Sequence, residues 1–333
     1  MITRKVCINL KITEIFNLGT KGHEELDFID IDETSDTKLF IDPYVIQALS
    51  NSFCLEAQKS IETFFNEVFT ACKEQNHSRL RYLLSFASEP NETNLGMKSS
   101  SIFGKGTTSD ELTNLFSNFY DTVRKNPHIE SNSLAMCMYI PNFAEDKMSD
   151  LITNIIRKKL YEFTLEQANK WNIALGNKDT IIGYYWDYIS LSWKKLIGRP
   201  FLVNNTIRLL VPKAIVRKHY VFNVECYIKQ YILKDIQEDI IKNHPEKCLR
   251  KEYKNGKRKL LPPTRKELYP NFVDGRSHKE CALNYTANNK KCSDNFIKDI
   301  LSKIRHGYGS LDDNQLDMIV YQKNGGNFYD SSY

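Results

Sequence analysis

Carboxylates at strand ends, with a lysine two residues after an acid, are the residue types that hold magnesium over a phosphodiester. This 333-residue chain spells that pattern loosely in three places. Asp42 closes the apolar stretch Leu39-Phe40-Ile41, Glu89 and Glu92 open a loop rich in Asn, Ser and Gly, and Glu145-Asp146-Lys147 follows an apolar run over 134–140. A metal-dependent nuclease built on these residues would hold Mg2+ with Asp42, Glu89 and either Asp146 or Asp150. Lys147 or Arg157 would steady the phosphate. Such short spellings also arise by chance in a charged chain, and Pro43 follows Asp42 where nuclease strands usually place the proline first.

A second candidate lies on a helix expected over about 147–170. At about 100° per residue, Asp150, Asn154, Arg157 and Tyr161 fall in one stripe. Met148, Leu151, Ile152, Ile155, Ile156, Leu160 and Phe163 occupy the other side. A polar stripe opposite an apolar one is commonly a solvated face. Against that, Asp and Asn are poor interior helix formers compared with Glu and Lys. Asp150 and Asn154, one turn apart, can hold a metal-bound water or a substrate hydroxyl.

The strongest charge signal is basic. Residues 247–266 carry nine cations and one carboxylate, a local net charge of +8, although the whole chain is only +5. Glu252-Tyr253-Lys254-Asn255-Gly256-Lys257-Arg258-Lys259 reads as a hairpin around a tight Asn-Gly turn. It presents Lys251, Lys254, Lys257, Arg258 and Lys259, with Arg265 and Lys266 beyond two prolines. Cations on such an arm suit nucleic-acid phosphates, and Tyr253 can stack on a base. Lysines protecting an exposed edge are the ordinary alternative, but edge protection needs fewer of them. Residues 24–42 are the acidic counterpart, eight carboxylates against Lys38 alone.

Several chemistries are disfavoured. Gly104-Lys105-Gly106 lacks the hydroxyl that follows the lysine of a nucleotide-binding loop, and acids occupy the next helix turn. Eight scattered cysteines and seven dispersed histidines show no zinc-ligand spacing and read as free thiols and lone imidazoles of a reducing compartment. No run of about 18 apolar residues exists, and no signal-peptide pattern opens the chain, so a cytoplasmic protein with no membrane segment is expected.

These residues require elements to position them. Alternation predicts a strand over Val6–Ile12, and Leu39–Ile41 a second. Apolar stripes predict helices over 55–74 and 78–87, and Thr108 with Glu111 fits a capping box opening a third. Leu134 to Ile140 reads as a buried strand. Asn204-Asn205 suggests a hairpin turn, 221–243 a helix, and 315–322 a returning strand. The fold class is α+β, mainly helical with short strands and a basic β-hairpin in the C-terminal third. The expected division is an α+β core over 1–212 and a helical, basic region over 213–333.

Four phrases add a resemblance: Asp36-Thr-Lys-Leu-Phe-Ile-Asp42-Pro43, Glu89-Pro-Asn-Glu92-Thr-Asn-Leu-Gly96 with Gly104-Lys-Gly106, Asp146 to Arg157, and Leu210 to Arg217. With the basic hairpin, they are similar to a family of bacterial cytoplasmic proteins that has no assigned activity. Its members resemble products of mobile or phage-defence gene neighbourhoods. The resemblance spans about residues 6–270 and implies that the Glu89 loop and the Asp150 helix form one site. Residues 284–333 depart from it. The expectation is thus a defence-type protein acting on nucleic acid, with Asp42, Glu89, Asp146, Asp150, Asn154 and Arg157 as catalytic candidates. The alternative is a non-catalytic sensor or adaptor. It would dock a partner protein, or a second copy of itself as a homo-oligomer, through opposite charge patches.

Overall fold

The computed structural model describes residues 11–20, 22–33, 36–96, 109–124, 133–252 and 258–321. A one-turn helix α1 (Ile12–Ile15) leads through irregular chain to β1 (Phe40–Ile41) and α2 (Pro43–Ala48). Asp42 makes that transition abrupt. Its Oδ1 accepts the amides of Tyr44 at 2.9 Å and Val45 at 3.4 Å, and Pro43, with no N–H to satisfy, occupies the first helical position.

Two further helices, α3 (Ser52–Lys73) and α4 (His77–Leu84), follow, each capped by an asparagine. Ile61, Phe64, Phe65, Val68 and Phe69 of α3 are all buried, as the periodicity predicts. Helix α5 (Ser109–Val123) starts where the capping box is expected, although Thr108 lies outside the described residues. The run from Leu134 is buried but helical: α6 (Ser133–Met136) continues as a 3-10 turn to Tyr139. A short apolar run fits a buried helix as well as a buried strand, and here the helix prevails.

The expected long helix is two, α7 (Glu145–Ile155) and α8 (Arg157–Lys170), broken at Ile156, whose φ of −94° and ψ of 11° are not helical. Next comes the largest ladder, an antiparallel hairpin of β2 (Thr180–Asp187) and β3 (Ser192–Gly198). Trp186 and Trp193 face each other across it and bury against Phe64. Their indoles donate to Thr63 Oγ1 at 3.0 Å and to the Leu83 carbonyl at 2.9 Å. The Asn204-Asn205 turn holds as expected, both residues at positive φ between β4 (Leu202–Val203) and β5 (Thr206–Ile207). β6 (Val216–Arg217) then returns to pair with β1.

The C-terminal third is helical. A helix runs as α9 (Val224–Tyr227), a π turn and α10 (Leu233–Asn243), as the 221–243 pattern predicts. The basic hairpin follows as β7 (Leu249–Glu252) and β8 (Arg258–Leu261). Four helices end the described chain: α11 (Arg265–Val273), α12 (His278–Asn288), α13 (Lys290–Arg305) and α14 (Asp313–Tyr321). The strand expected over 315–322 is therefore α14. It is held by His23 Nδ1 to Asp317 at 2.6 Å and by the Tyr321 hydroxyl donating to Asp30 at 2.9 Å. The expected strand at 6–12 falls mostly outside the described residues, and Ile12 begins α1.

One buried cluster extends from Ile12 to Val320 and so joins both expected regions. Phe222 stacks on Tyr44 of α2 with centroids 4.0 Å apart and touches Phe296 of α13 at 4.8 Å. Arg305 donates to the Ala48 carbonyl at the end of α2, where a cation complements the helix dipole. The fold is mainly helical α+β with small antiparallel ladders. No described helix is long and apolar enough to cross a membrane.

Candidate functional site

Four segments of the resemblance, 36–43, 89–96, 146–157 and 210–217, are far apart in sequence and meet around α7. The break at Ile156 turns Arg157 toward the β2–β3 hairpin. There its Nε donates to the Tyr184 carbonyl at 3.0 Å, its Nη1 to Glu92 Oε1 at 2.6 Å, and its Nη2 to Asn154 Oδ1. Asn154 also donates to the Ser88 carbonyl at 2.7 Å. Asn154 and Arg157 are only 3% and 5% exposed. The buried part of the polar stripe, Asn154 with Arg157, is thus neither a solvated face nor open to substrate. It is a brace that fixes the 88–92 loop, and its hydrogen-bonding capacity is consumed by protein. Gly183 makes room for it: a Cβ there would stand 2.7 Å from Arg157 Cδ, and its φ of +149° disfavours any other residue.

The loop is pinned from its other side as well. Arg208 forms a two-pronged pair with Glu33 at 2.7 and 2.9 Å and donates to the Asn91 carbonyl, while Leu209 N donates to the Glu92 carbonyl. Thr37 pairs with the strand-like 94–96 segment through Thr37 N to Asn94 O and Gly96 N to Thr37 O. These contacts hold Glu89 and Asp36 in the neighbourhood of α7.

There their charges reach Asp150. Burial, then the charges of Asp146, Glu89 and Asp36, push the Asp150 carboxyl up to about 8. At neutral pH it keeps its proton, a state in which it can donate to a leaving or accepting oxygen. Glu89 and Asp146 of the candidate set thus lie within electrostatic reach of Asp150, as does Asp36. The signal for Asp36 was its place at the head of the Asp36–Pro43 phrase.

Asp42 stands apart in a buried floor beneath the start of α7. Burial, outweighing the Tyr44 and Val45 amides and Arg217, pushes it up to about 7. Its Oδ2 and Arg217 Nε are buried with no hydrogen-bond partner. Tyr220 closes this layer, its hydroxyl donating to the Ile41 carbonyl at 2.6 Å and its amide to Glu145 Oε1 at 2.7 Å. Asp42 thus serves as a helix cap rather than at an open strand end. Glu145-Asp146-Lys147 lies on the first turn of α7, not on a strand, and Lys147 reaches Glu111 at 2.6 Å.

These positions bear on the expected metal set. Among the described residues no three His, Cys, Asp or Glu side chains are grouped to hold a cation. With Asp42 committed to the α2 cap, the trio Asp42, Glu89 and Asp150 does not fit Mg2+.

The acidic 24–42 segment is largely spent inside the fold. Asp30 takes the Thr13 amide and hydroxyl at 3.0 and 2.6 Å, Asp32 takes Lys11 at 2.8 Å, Glu33 takes Arg208, and Asp42 caps α2. A head-to-tail meeting of opposite patches loses most of its acidic half.

The basic arm has the opposite character. β7 is exposed along its whole length, as is Lys259 opposite Lys251 in the ladder. Its base is fixed by Gln237 of α10 donating to the Pro263 carbonyl at 2.8 Å. Lys247, Arg265 and Lys266 are exposed beside that base. Tyr253, Lys254 and Lys257, and the Asn255-Gly256 turn, lie outside the described residues.

The family described as Domain of unknown function (DUF8370) matches residues 17–223, a span that holds the brace, the Asp150 cluster and the Asp42 floor but not the arm. No curated protein and no solved structure matches the chain.

Proposed function

The chain belongs to the DUF8370 family, and from that premise we propose that it acts on nucleic acid, gripped by the β7–β8 arm, with proton transfer at Asp150 as its chemistry. The arm carries the reading. Arg250, Lys251 and Lys259 stand on a ribbon exposed along β7, with Lys247, Arg265 and Lys266 beside it. Cations held outward and close together favour a polyanion, because each phosphate they neutralise releases counterions. The defence-type setting implied by the resemblance belongs to the same proposal.

The catalytic half rests on Asp150. A carboxylic acid that keeps its proton near neutrality, beside Asp146 and Glu89, suits general acid–base work on a phosphate ester. The docking alternative has less support, because Asp30, Asp32, Glu33 and Asp42 have internal partners.

Fluorescence anisotropy at low salt with labelled DNA and RNA, single- and double-stranded, tests the binding half. The R250A/K251A/K259A variant should lose at least about tenfold in affinity if those three cations contact the nucleic acid. Equal binding by variant and wild type removes the arm from the account. Cleavage assays with and without Mg2+ or Mn2+ test the chemistry. Asp150→Asn should slow turnover by about 10²-fold or more, and no cleavage by wild type under any condition removes that half.

A further inference from the structure

Resting on the nucleic-acid reading, the geometry of the arm narrows its ligand: we propose that the β7–β8 ribbon enters the major groove of duplex DNA. The two strands pair in register over Leu249–Leu261, Arg250–Leu260, Lys251–Lys259 and Glu252–Arg258. A two-stranded antiparallel ribbon has its strands about 4.8 Å apart and, at four residues per strand, is about 13 Å long. The B-form major groove, about 12 Å wide, admits such a ribbon. The major groove of A-form RNA is deep and too narrow for it. Single strands are held instead in concave basic channels, whereas β7 is exposed along its whole length.

The side-chain order supports the same choice. Alternation puts Arg250 and Glu252 on one face of β7, with Leu260 across from Arg250. The guanidinium of Arg250 is the group that reads a guanine edge, and the apolar Leu260 suits the thymine methyl. The other face sets Lys251 directly opposite Lys259. Both are exposed, which offers two cations at one register position to phosphates at the groove rim. Lys247, Arg265 and Lys266 at the base extend the cationic surface to the flanking backbone.

The test uses the full chain and three ligands of one sequence: a DNA duplex of about two turns, the matching RNA duplex and the single DNA strand. The DNA duplex should bind at least about tenfold tighter than either other form, since only it offers a groove the ribbon enters. K251A/K259A should lower the slope of log K against log salt by about 1.8, two phosphate contacts at about 0.9 each. Between about 50 and 200 mM salt, the wild type should then lose roughly tenfold more affinity than the variant. RNA duplex or single strand bound as tightly as duplex DNA, or an unchanged slope in a variant that melts like wild type, overturns this inference alone. Failure to bind any of the three overturns the nucleic-acid reading itself.

Discussion

Replacing Asp150 by asparagine should make the protein more stable at neutral pH, and the gain should vanish in acid. Asp150 carries an ordinary value of 3.8 in the unfolded chain and about 8 when folded. Between those values the unfolded chain gives up the proton and the folded chain keeps it. Wild-type stability therefore falls as pH rises from about 4 to about 8. At about 1.4 kcal/mol per unit, the unscreened cost at pH 7 is about 4 kcal/mol. Asp150 is partly open to water, which screens its repulsion with Asp146, Glu89 and Asp36, so about 2–4 kcal/mol is expected. Asparagine keeps the shape without the titration. Urea unfolding of both proteins between about pH 5 and pH 8 reads the difference, and taking the difference cancels the similar contribution of Asp42. The variant should gain on the wild type by roughly 1 kcal/mol per pH unit. A pH-independent difference, or a variant less stable at pH 7, would refute the placement of Asp150 among those carboxylates.

The brace and the floor yield further expectations. Arg157→Ala should cost about 3–5 kcal/mol in urea unfolding, because Glu92 would lose its partner at Oε1 while its buried Oε2 already has none. The double variant with Glu92→Gln should recover part of that loss. Gly183→Ala should destabilise by about 1–3 kcal/mol, since the added Cβ meets Arg157 and the positive φ is strained. Asp42→Ala should cost about 1–2 kcal/mol through the lost cap of α2, whereas Asp42→Asn should cost little, asparagine capping equally well.

The helices with wide apolar stripes, the Asp42-Pro43 transition and the Asn-Asn turn were legible because each depends on local chemistry. The β2–β3 hairpin was not anticipated, although Thr180-Ile-Ile-Gly-Tyr-Tyr-Trp is rich in β-branched and aromatic residues. That omission hid the meaning of the 150–161 stripe. Arg157 needs Gly183 to approach a backbone, and without the hairpin its stripe looks solvated. The acidic segment misled for a related reason. Charge density along a chain is visible in sequence, but the partners that absorb it, Thr13, Lys11 and Arg208, arrive from distant elements. The strands expected at 134–140 and 315–322 were short apolar runs, for which burial is readable and secondary structure is not. The basic arm was legible because its cations lie exposed along β7 and beside it.

Hydrogen exchange of the full chain, with and without a saturating DNA duplex, tests the central claim most directly, because it locates the contact on the chain. Protection should rise in the backbone amides of 249–261 and of the flanking Lys247 and Arg265 region, with the brace at 88–92 and 154–157 unchanged. Protection confined to other surfaces, with the arm exchanging as fast as in the free protein, would contradict it.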